Sequence, residues 1–231
     1  MLGSAGSATR WAQRRGRPDR AGVLVGPQRH TDTEHPPDRP PELVVVGSGN
    51  LGLVWFPRLP GRVAVEQLQQ EHPGLVAGLL AADGIGFVVV DSARGPLVIG
   101  PRGVQVLADG SVEGEDPLQP FGPRAAADLA RVAAMGHAPD VLVHSTLEPH
   151  TREVHAFEEL VGCHGGLGGW QNQAVLVHPS DWELDDDLLD RSVPTEAILV
   201  GAENVHRQLV RWLERAGTRA VRATGRPVAG R

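Results

Sequence analysis

The sequence contains no lysine, no tyrosine and a single cysteine, Cys163. All 22 basic residues are therefore arginines, a pattern expected of GC-rich coding DNA rather than of a functional need for guanidinium groups. One cysteine excludes a disulfide within the chain and leaves the redox compartment open. The 231 residues, 41% of them hydrophobic, are enough for one domain with a sizeable core.

The chain also has no excess of positive charge, because its 28 acidic residues outnumber the 22 arginines and give a net charge of −6. Non-specific nucleic-acid binding needs a basic surface, so the sequence predicts no nucleic-acid partner. No apolar run approaches the ~20 residues that span a bilayer, and the first residues lack the apolar core of a signal peptide. We therefore expect a soluble chain located in the cytoplasm.

The first 40 residues differ in composition from the rest. Residues 1–40 are rich in arginine and proline and have almost no apolar periodicity, so they bury too little surface to offset the entropy of ordering. This arm is predicted to be disordered. A basic arm for nucleic acid or anionic lipid is the alternative, opposed by the acidic residues after Asp32, and a shifted gene start is another. Residues 41–216 are the predicted folded portion, and residues 217–231 a flexible tail.

Residues 41–216 alternate between short apolar runs and helical patterns, which predicts an α/β fold with a mixed sheet flanked by helices. The predicted strands are residues 43–46, 51–56, 85–90, 97–99, 104–107, 141–143 and 174–177. The predicted helices are residues 65–70, 75–82, 125–134 and 203–215, with a break at 72–74. The turn at residues 48–50 is suited to packing near a site.

Residues 157–169, FEELVGCHGGLGG, form the most informative segment of the chain. Five glycines accompany His164, and glycine lets the backbone take φ > 0 and approach an ion or oxyanion closely. Glu158 and Glu159 form an acid–base pair only if one is desolvated; otherwise one caps the local turn and the other faces water. Adjacent residues of extended backbone point to opposite sides, which disfavours a Cys163–His164 dyad. From the residue types alone, this segment is either a flexible turn or a binding loop.

A second group of candidate metal ligands surrounds residues 145–151. It consists of His144, Glu148, His150 and His155. Their spacing matches no compact zinc pattern, and histidines on polar loops are more often solvated than bound to metal.

A resemblance to a known family rests on four blocks that occur in the family's order and spacing. They are PELVVVGSGNLGLVWFPRLPGR (41–62), VEGEDPLQPFGP (112–123), FEELVGCHGGLGGWQ (157–171) and VGAENVHRQLVRWL (200–213). Residues 41–215 thereby resemble the C-terminal part of an actinobacterial, holin-like group of membrane proteins. That group belongs to the alkaline phosphatase-like, nucleotide pyrophosphatase-like metalloenzyme superfamily. The resemblance implies a partial alkaline phosphatase-like fold and the chemistry of a metal-dependent phosphatase or phosphodiesterase.

The resemblance also implies a site. Enzymes of this superfamily use two divalent metals, zinc or manganese, to activate a serine or threonine nucleophile. The family's Ser-His-Gly-Gly motif reads Cys-His-Gly-Gly here, so His164 takes the place of the last metal-binding histidine. The implied residues lining the site are Cys163, Gly165, Gly166, Glu158 and Glu159.

The chain departs from the family in one respect that concerns activity. It contains no Asp-His-Gly triplet, and the family's nucleophile and most of its ligands precede the matching segment. No catalytic residue is therefore assigned, and metal binding by one imidazole is expected to be weak. We expect the C-terminal fragment of a hydrolase, inactive alone; the alternatives are a non-enzymatic partner-binding module and a truncated gene product. The expected partner is the missing N-terminal half or a second copy, joined at an exposed sheet edge formed by residues 43–46.

Overall fold

The computed structural model describes residues 23–25, 40–157, 162–191 and 198–218. The chain divides into two compact units, residues 1–174 and residues 175–231. Within the described ranges, no helix has the length and apolar character needed to cross a membrane.

The first unit is built on a sheet of eight described strands. They are β1 (Val23–Val25), β2 (Leu43–Ser48), β3 (Leu51–Trp55), β4 (Ile85–Val90), β5 (Leu97–Ile99), β6 (Gly103–Val106), β7 (Val112–Gly114) and β8 (Val141–Ser145). Their order across the sheet is β1-β2-β3-β8-β4-β5-β6-β7. Strand β1 is parallel to β2, and the other seven strands pair in antiparallel fashion.

Helices cover both faces of this sheet. They are α1 (Val65–Glu71), α2 (Leu75–Leu80) and α3 (Ala125–Ala133). On β4, Val88 and Val90 join the core beneath α1 and α2, whereas Phe87 and Val89 join the core beneath α3. Coverage on both faces explains why β4 is an unbroken apolar run. The predicted α/β architecture of helices flanking a sheet is confirmed.

The predicted break between the first two helices is also confirmed. Proline cannot continue the hydrogen-bond ladder of α1, and Gly74 has a φ of +84°, which favours glycine. The His72 ring stacks on Phe56 with 5.0 Å between ring centroids. The break therefore also contributes to the core.

The sheet begins earlier in the chain than predicted, with strand β1. Residues Val23–Val25 lie within the arm predicted to be disordered, and Val23 pairs with Leu43 of β2. Residues 1–22 and 26–39 of the arm, and the tail from residue 219, lie outside the described residues, so their disorder stays a prediction. Because β1 and β3 flank β2 on its two sides, the prediction that residues 43–46 form an exposed sheet edge is wrong.

The second unit contains a small hairpin-like pair and one long helix. Strands β9 (Leu189–Asp190) and β10 (Ile198–Leu199) are antiparallel, and α4 spans Ala202–Arg215. On α4, the buried Trp212 donates its Nε1–H to the Glu183 carbonyl at 2.9 Å. Hydrogen bonds from Arg215 and Arg211 hold the pKa of the Asp185 carboxyl below its usual range. Arg211 also bonds to Asp187, so the acidic residues 185–187 are tied to α4.

The strand predicted over residues 174–177 does not form. The chain runs from residue 173 to 179 without a turn or bend, and it pairs with no described strand. Its apolar, β-branched composition is typical of a strand, but a strand also needs a neighbour to hydrogen-bond with.

Asp140 fixes the connection between β3 and α1. Its buried carboxylate accepts hydrogen bonds from the backbone N–H groups of Phe56 at 2.8 Å and Val63 at 3.0 Å. These two amides lie at opposite ends of the connection. One side chain therefore satisfies two backbone donors that have been removed from water.

We expect Asp140→Asn to lower the free energy of unfolding by about 2 kcal/mol. The amide keeps one acceptor and turns an NH₂ group toward a backbone N–H, which leaves a buried donor without a partner. Urea denaturation measures the effect, with the exposed Asp83→Asn as the matched control. Equal midpoints for the two variants would contradict this role of Asp140.

Candidate functional site

The turn between β2 and β3 meets the glycine loop, defined here as residues 162–172, at one end of the sheet. The Gly49 carbonyl accepts a hydrogen bond from the Phe157 N–H at 2.8 Å. Gly49 has a φ of +58°, and a Cβ there would lie 2.1 Å from the carbonyl oxygen of His164. Only glycine allows both the backbone conformation and this approach. The turn at residues 48–50 therefore packs against the loop that carries His164.

Asn50 joins the turn to the glycine loop through its side chain. Its Nδ2 group donates to the Leu167 carbonyl at 3.3 Å and lies 3.2 Å from Nε2 of His144. Its Oδ1 accepts a hydrogen bond from Nε2 of Gln171 at 3.2 Å. Asn50 is fully buried, and a buried amide is stable only when its donors and acceptor are paired in this way.

His144 supports the loop from beneath. The Leu167 N–H donates to Nε2 of His144 at 2.8 Å, which assigns the ring proton to Nδ1, 2.8 Å from the Ser145 carbonyl oxygen. The ring stacks on Phe87 at 4.6 Å between centroids and meets the edge of Phe121 at 5.0 Å. Burial lowers the pKa of His144 to about 4, although the Ser145 hydrogen bond acts in the opposite direction.

His144 is therefore a structural support. Both ring nitrogens are committed to backbone groups, and the side chain is fully buried. The other members of its predicted group, Glu148, His150 and His155, follow on the connection after β8, where both histidines are exposed. Among the described residues, no three histidine, cysteine, aspartate or glutamate side chains are close enough to hold a metal ion.

The glycines of the loop serve close packing against the protein itself. A Cβ on Gly166 would lie 2.2 Å from Oδ1 of Asn50, and one on Gly168 would lie 2.9 Å from Phe121. Gly165, Gly168 and Gly169 all have φ between +68° and +93°. From the sequence, these glycines were expected to let the backbone approach an ion or oxyanion. In the structure they let the backbone approach protein side chains, such as those of Asn50 and Phe121.

The family-implied ligand lies on this supported loop. His164 is exposed, and its imidazole makes no hydrogen bond to another described residue, whereas Cys163 is half-buried. The backbone of His164 is fixed against Gly49. Glu158 and Glu159 lie outside the described residues, so their role stays a prediction.

Sequence reasoning missed Asn50, His144 and Gln171 as the residues that hold the site together. A signal was present for His144, because it continues the apolar run Val141, Leu142, Val143 at a position where a strand would bury it. No local signal exists for Asn50 and Gln171, which are 121 positions apart.

Comparisons with protein-family models, with curated proteins and with solved structures found no match to this chain. The family resemblance therefore stays a prediction from the four sequence blocks.

We expect Gly166→Ala to lower the free energy of unfolding by about 2 kcal/mol, within the range for overpacked sites. The new methyl group would overlap Asn50, which is buried and hydrogen-bonded and so has no room to move. Gly162→Ala is the matched control in the same loop, because a Cβ there meets nothing within 4 Å and neither glycine has a positive φ. Urea titration compares the two variants. A shift of similar size in both would show that the loop tolerates the methyl group.

The lowered pKa of His144 sets an expected pH dependence. The imidazole is protonated in the unfolded chain below about 6.5, but in the folded chain only below about 4. Between these values the unfolded chain binds the extra proton, so stability falls as the pH drops from 6.5 to 4. The expected loss is about 3 kcal/mol.

Urea denaturation of the wild type and of His144→Asn at pH 7 and pH 4.5 measures this dependence. The variant should lose less stability between the two pH values, because its side chain does not titrate. The exposed His150→Asn is the control and should behave as the wild type. A pH dependence that survives in His144→Asn would assign it to other groups.

Proposed function

We propose that this chain is the C-terminal part of a metal-dependent phosphoric-ester hydrolase with an alkaline phosphatase-like fold. In this proposal His164 is one metal ligand, and the nucleophile and remaining ligands come from another part of the enzyme. The observation that carries the proposal is the exposed imidazole of His164 on a loop whose backbone is packed against Gly49.

The position in space of the blocks that carry the family resemblance supports the proposal. Two blocks on which the family resemblance rests, residues 41–62 and 157–171, meet through Asn50 and Gln171. Residues of the same two blocks bring the Gly49 turn against the backbone of His164. A family motif that serves a site is expected to be held in such a way by other parts of the same family pattern.

The donor set fits the proposed role of the chain in part. A neutral imidazole is a good ligand for zinc and acceptable for manganese. His164 has a nitrogen available for it, in contrast to His144, whose two nitrogens are both occupied. When bound, a divalent metal polarises the phosphoryl oxygen and activates the nucleophile. The residues of this chain hold one ligand in place through Gly49, Asn50 and Leu167.

The alternative of a non-enzymatic binding module is favoured by a different observation. Val175 and Val177 in the second unit are 86% and 88% exposed, which is unusual for valine. A surface of this kind serves protein contact whether or not the chain takes part in catalysis.

The test combines the purified chain with a polypeptide that carries the family's nucleophile and Asp-His-Gly motif. We expect zinc- or manganese-dependent hydrolysis of aryl phosphate mono- or diesters by the pair and no turnover by this chain alone. His164→Ala should lower the rate of the pair by more than about 100-fold, the upper end of losses seen for outer-shell metal-site residues. His150→Ala, which removes another exposed imidazole, is the control and should leave the rate unchanged.

Three results would contradict the proposal. One is a pair that co-purifies without hydrolytic activity. Another is a rate that does not change in His164→Ala. The third is turnover by this chain alone that survives loss of His164.

A further inference from the structure

Residues 175–177 of the second unit, Val-Leu-Val, have the properties of an unpaired β-strand. The exposed fractions of their side chains are 86%, 37% and 88%. This alternation places the two valines on one side of the chain and Leu176 on the other, as in a strand. Their backbone N–H and C=O groups make no hydrogen bond to any other described residue.

One outer strand of the main sheet, β7, is a poorer site for strand pairing. The outer strand β7 has three residues, of which Gly114 has a φ of +80°, and Glu113 is ion-paired with Arg94 at 2.8 Å. Irregular backbone and charge are among the features by which natural proteins block edge pairing. Segment 175–177 contains neither a positive φ nor a charged side chain.

We propose that two copies of this chain associate by antiparallel pairing of residues 175–177 about a two-fold axis at Leu176. In this register Val175 of one copy faces Val177 of the other, and Leu176 faces its own counterpart. The pairing ends where Gln173 would face Pro179, which has no N–H to donate. Each copy thus supplies the same surface, as a two-fold interface requires.

The sequence around the segment favours a second copy as the occupant. Val-Leu-Val reads identically in both directions, so the two-fold pairing places valine against valine on one face and leucine against leucine on the other. No aspartate, glutamate or arginine lies between residues 174 and 179, so two copies that each carry a net charge of −6 meet here without opposed carboxylates. The nearest acidic side chain, Asp181, lies beyond the paired stretch.

The size of the contact sets its strength. A standard stable interface buries about 800 Å² on each partner, and a few strand residues bury less. The dimer is therefore reversible and depends on concentration. The pairing adds main-chain hydrogen bonds, which give affinity in strand addition, and brings four valines into cross-strand contact.

The test uses two variants that differ only in the sign of one charge. In Val175→Lys/Val177→Glu the two-fold register places each new lysine opposite a new glutamate of the other copy. In Val175→Lys/Val177→Lys it places lysine opposite lysine, which is destabilising in an antiparallel pair. Sedimentation velocity over a concentration series measures association, and circular dichroism melting checks that each variant is folded.

We expect the wild type to shift from monomer to dimer with concentration, with slower amide hydrogen exchange at residues 175–177. The Lys/Glu variant should retain dimer, more so at low salt, and the Lys/Lys variant should stay monomeric. Met135→Lys, which places a lysine at another exposed apolar position, is the control and should dimerise as the wild type. A wild type that is monomeric throughout, or a Lys/Lys variant that dimerises as well as the Lys/Glu variant, would overturn the proposal.

Discussion

The hydrogen bond from the Leu167 N–H to the buried Nε2 of His144 is the interaction on which the candidate site depends. An imidazole inside an apolar layer is tolerated only when it is neutral and when both nitrogens have partners. Strand β8 carries the ring into the sheet, where Phe87 covers one face of it. The lone pair at Nε2 then needs a donor from outside the strand, and the glycine loop supplies the Leu167 N–H at 2.8 Å, next to the Nδ2 group of Asn50 at 3.2 Å.

That constraint accounts for the composition of the loop. To place Leu167 over His144, the chain must pass very close to the Asn50 side chain. At that point the residue is Gly166, because a Cβ there would lie 2.2 Å from Oδ1 of Asn50. It must then turn past Phe121 and Arg152, where Gly168 and Gly169 stand with positive φ. A glycine-rich sequence is often regarded as flexible, because glycine has the most conformational freedom to lose on folding. Here each of these glycines has a neighbour that excludes a side chain.

Most of the helices and strands were predictable because each has a local cause. Helices α1 to α4 and strands β2 to β6 and β8 follow from apolar periodicity and from breaks such as Pro73-Gly74. Three features have no local cause. Residues 174–177 have the composition of a strand and no partner, Val23–Val25 pair from within a polar arm, and His144 depends on a residue 23 positions away. Apolar periodicity predicts which face of a helix or strand is buried, but it does not predict which residues pack or pair against that face.

The same distinction separates His144 from His164. Both are histidines near the end of the sheet, and their residue type alone gives no reason to prefer one as a ligand; only the family resemblance singles out His164. Burial and two backbone partners remove the first from metal chemistry, since a ligand must offer an unoccupied nitrogen lone pair. The second has an exposed imidazole on a backbone that is already ordered by Gly49, so binding would have to fix little more than its side-chain torsions. The buried histidine thus gives the exposed one its position, and exchanging their roles would require rebuilding the loop.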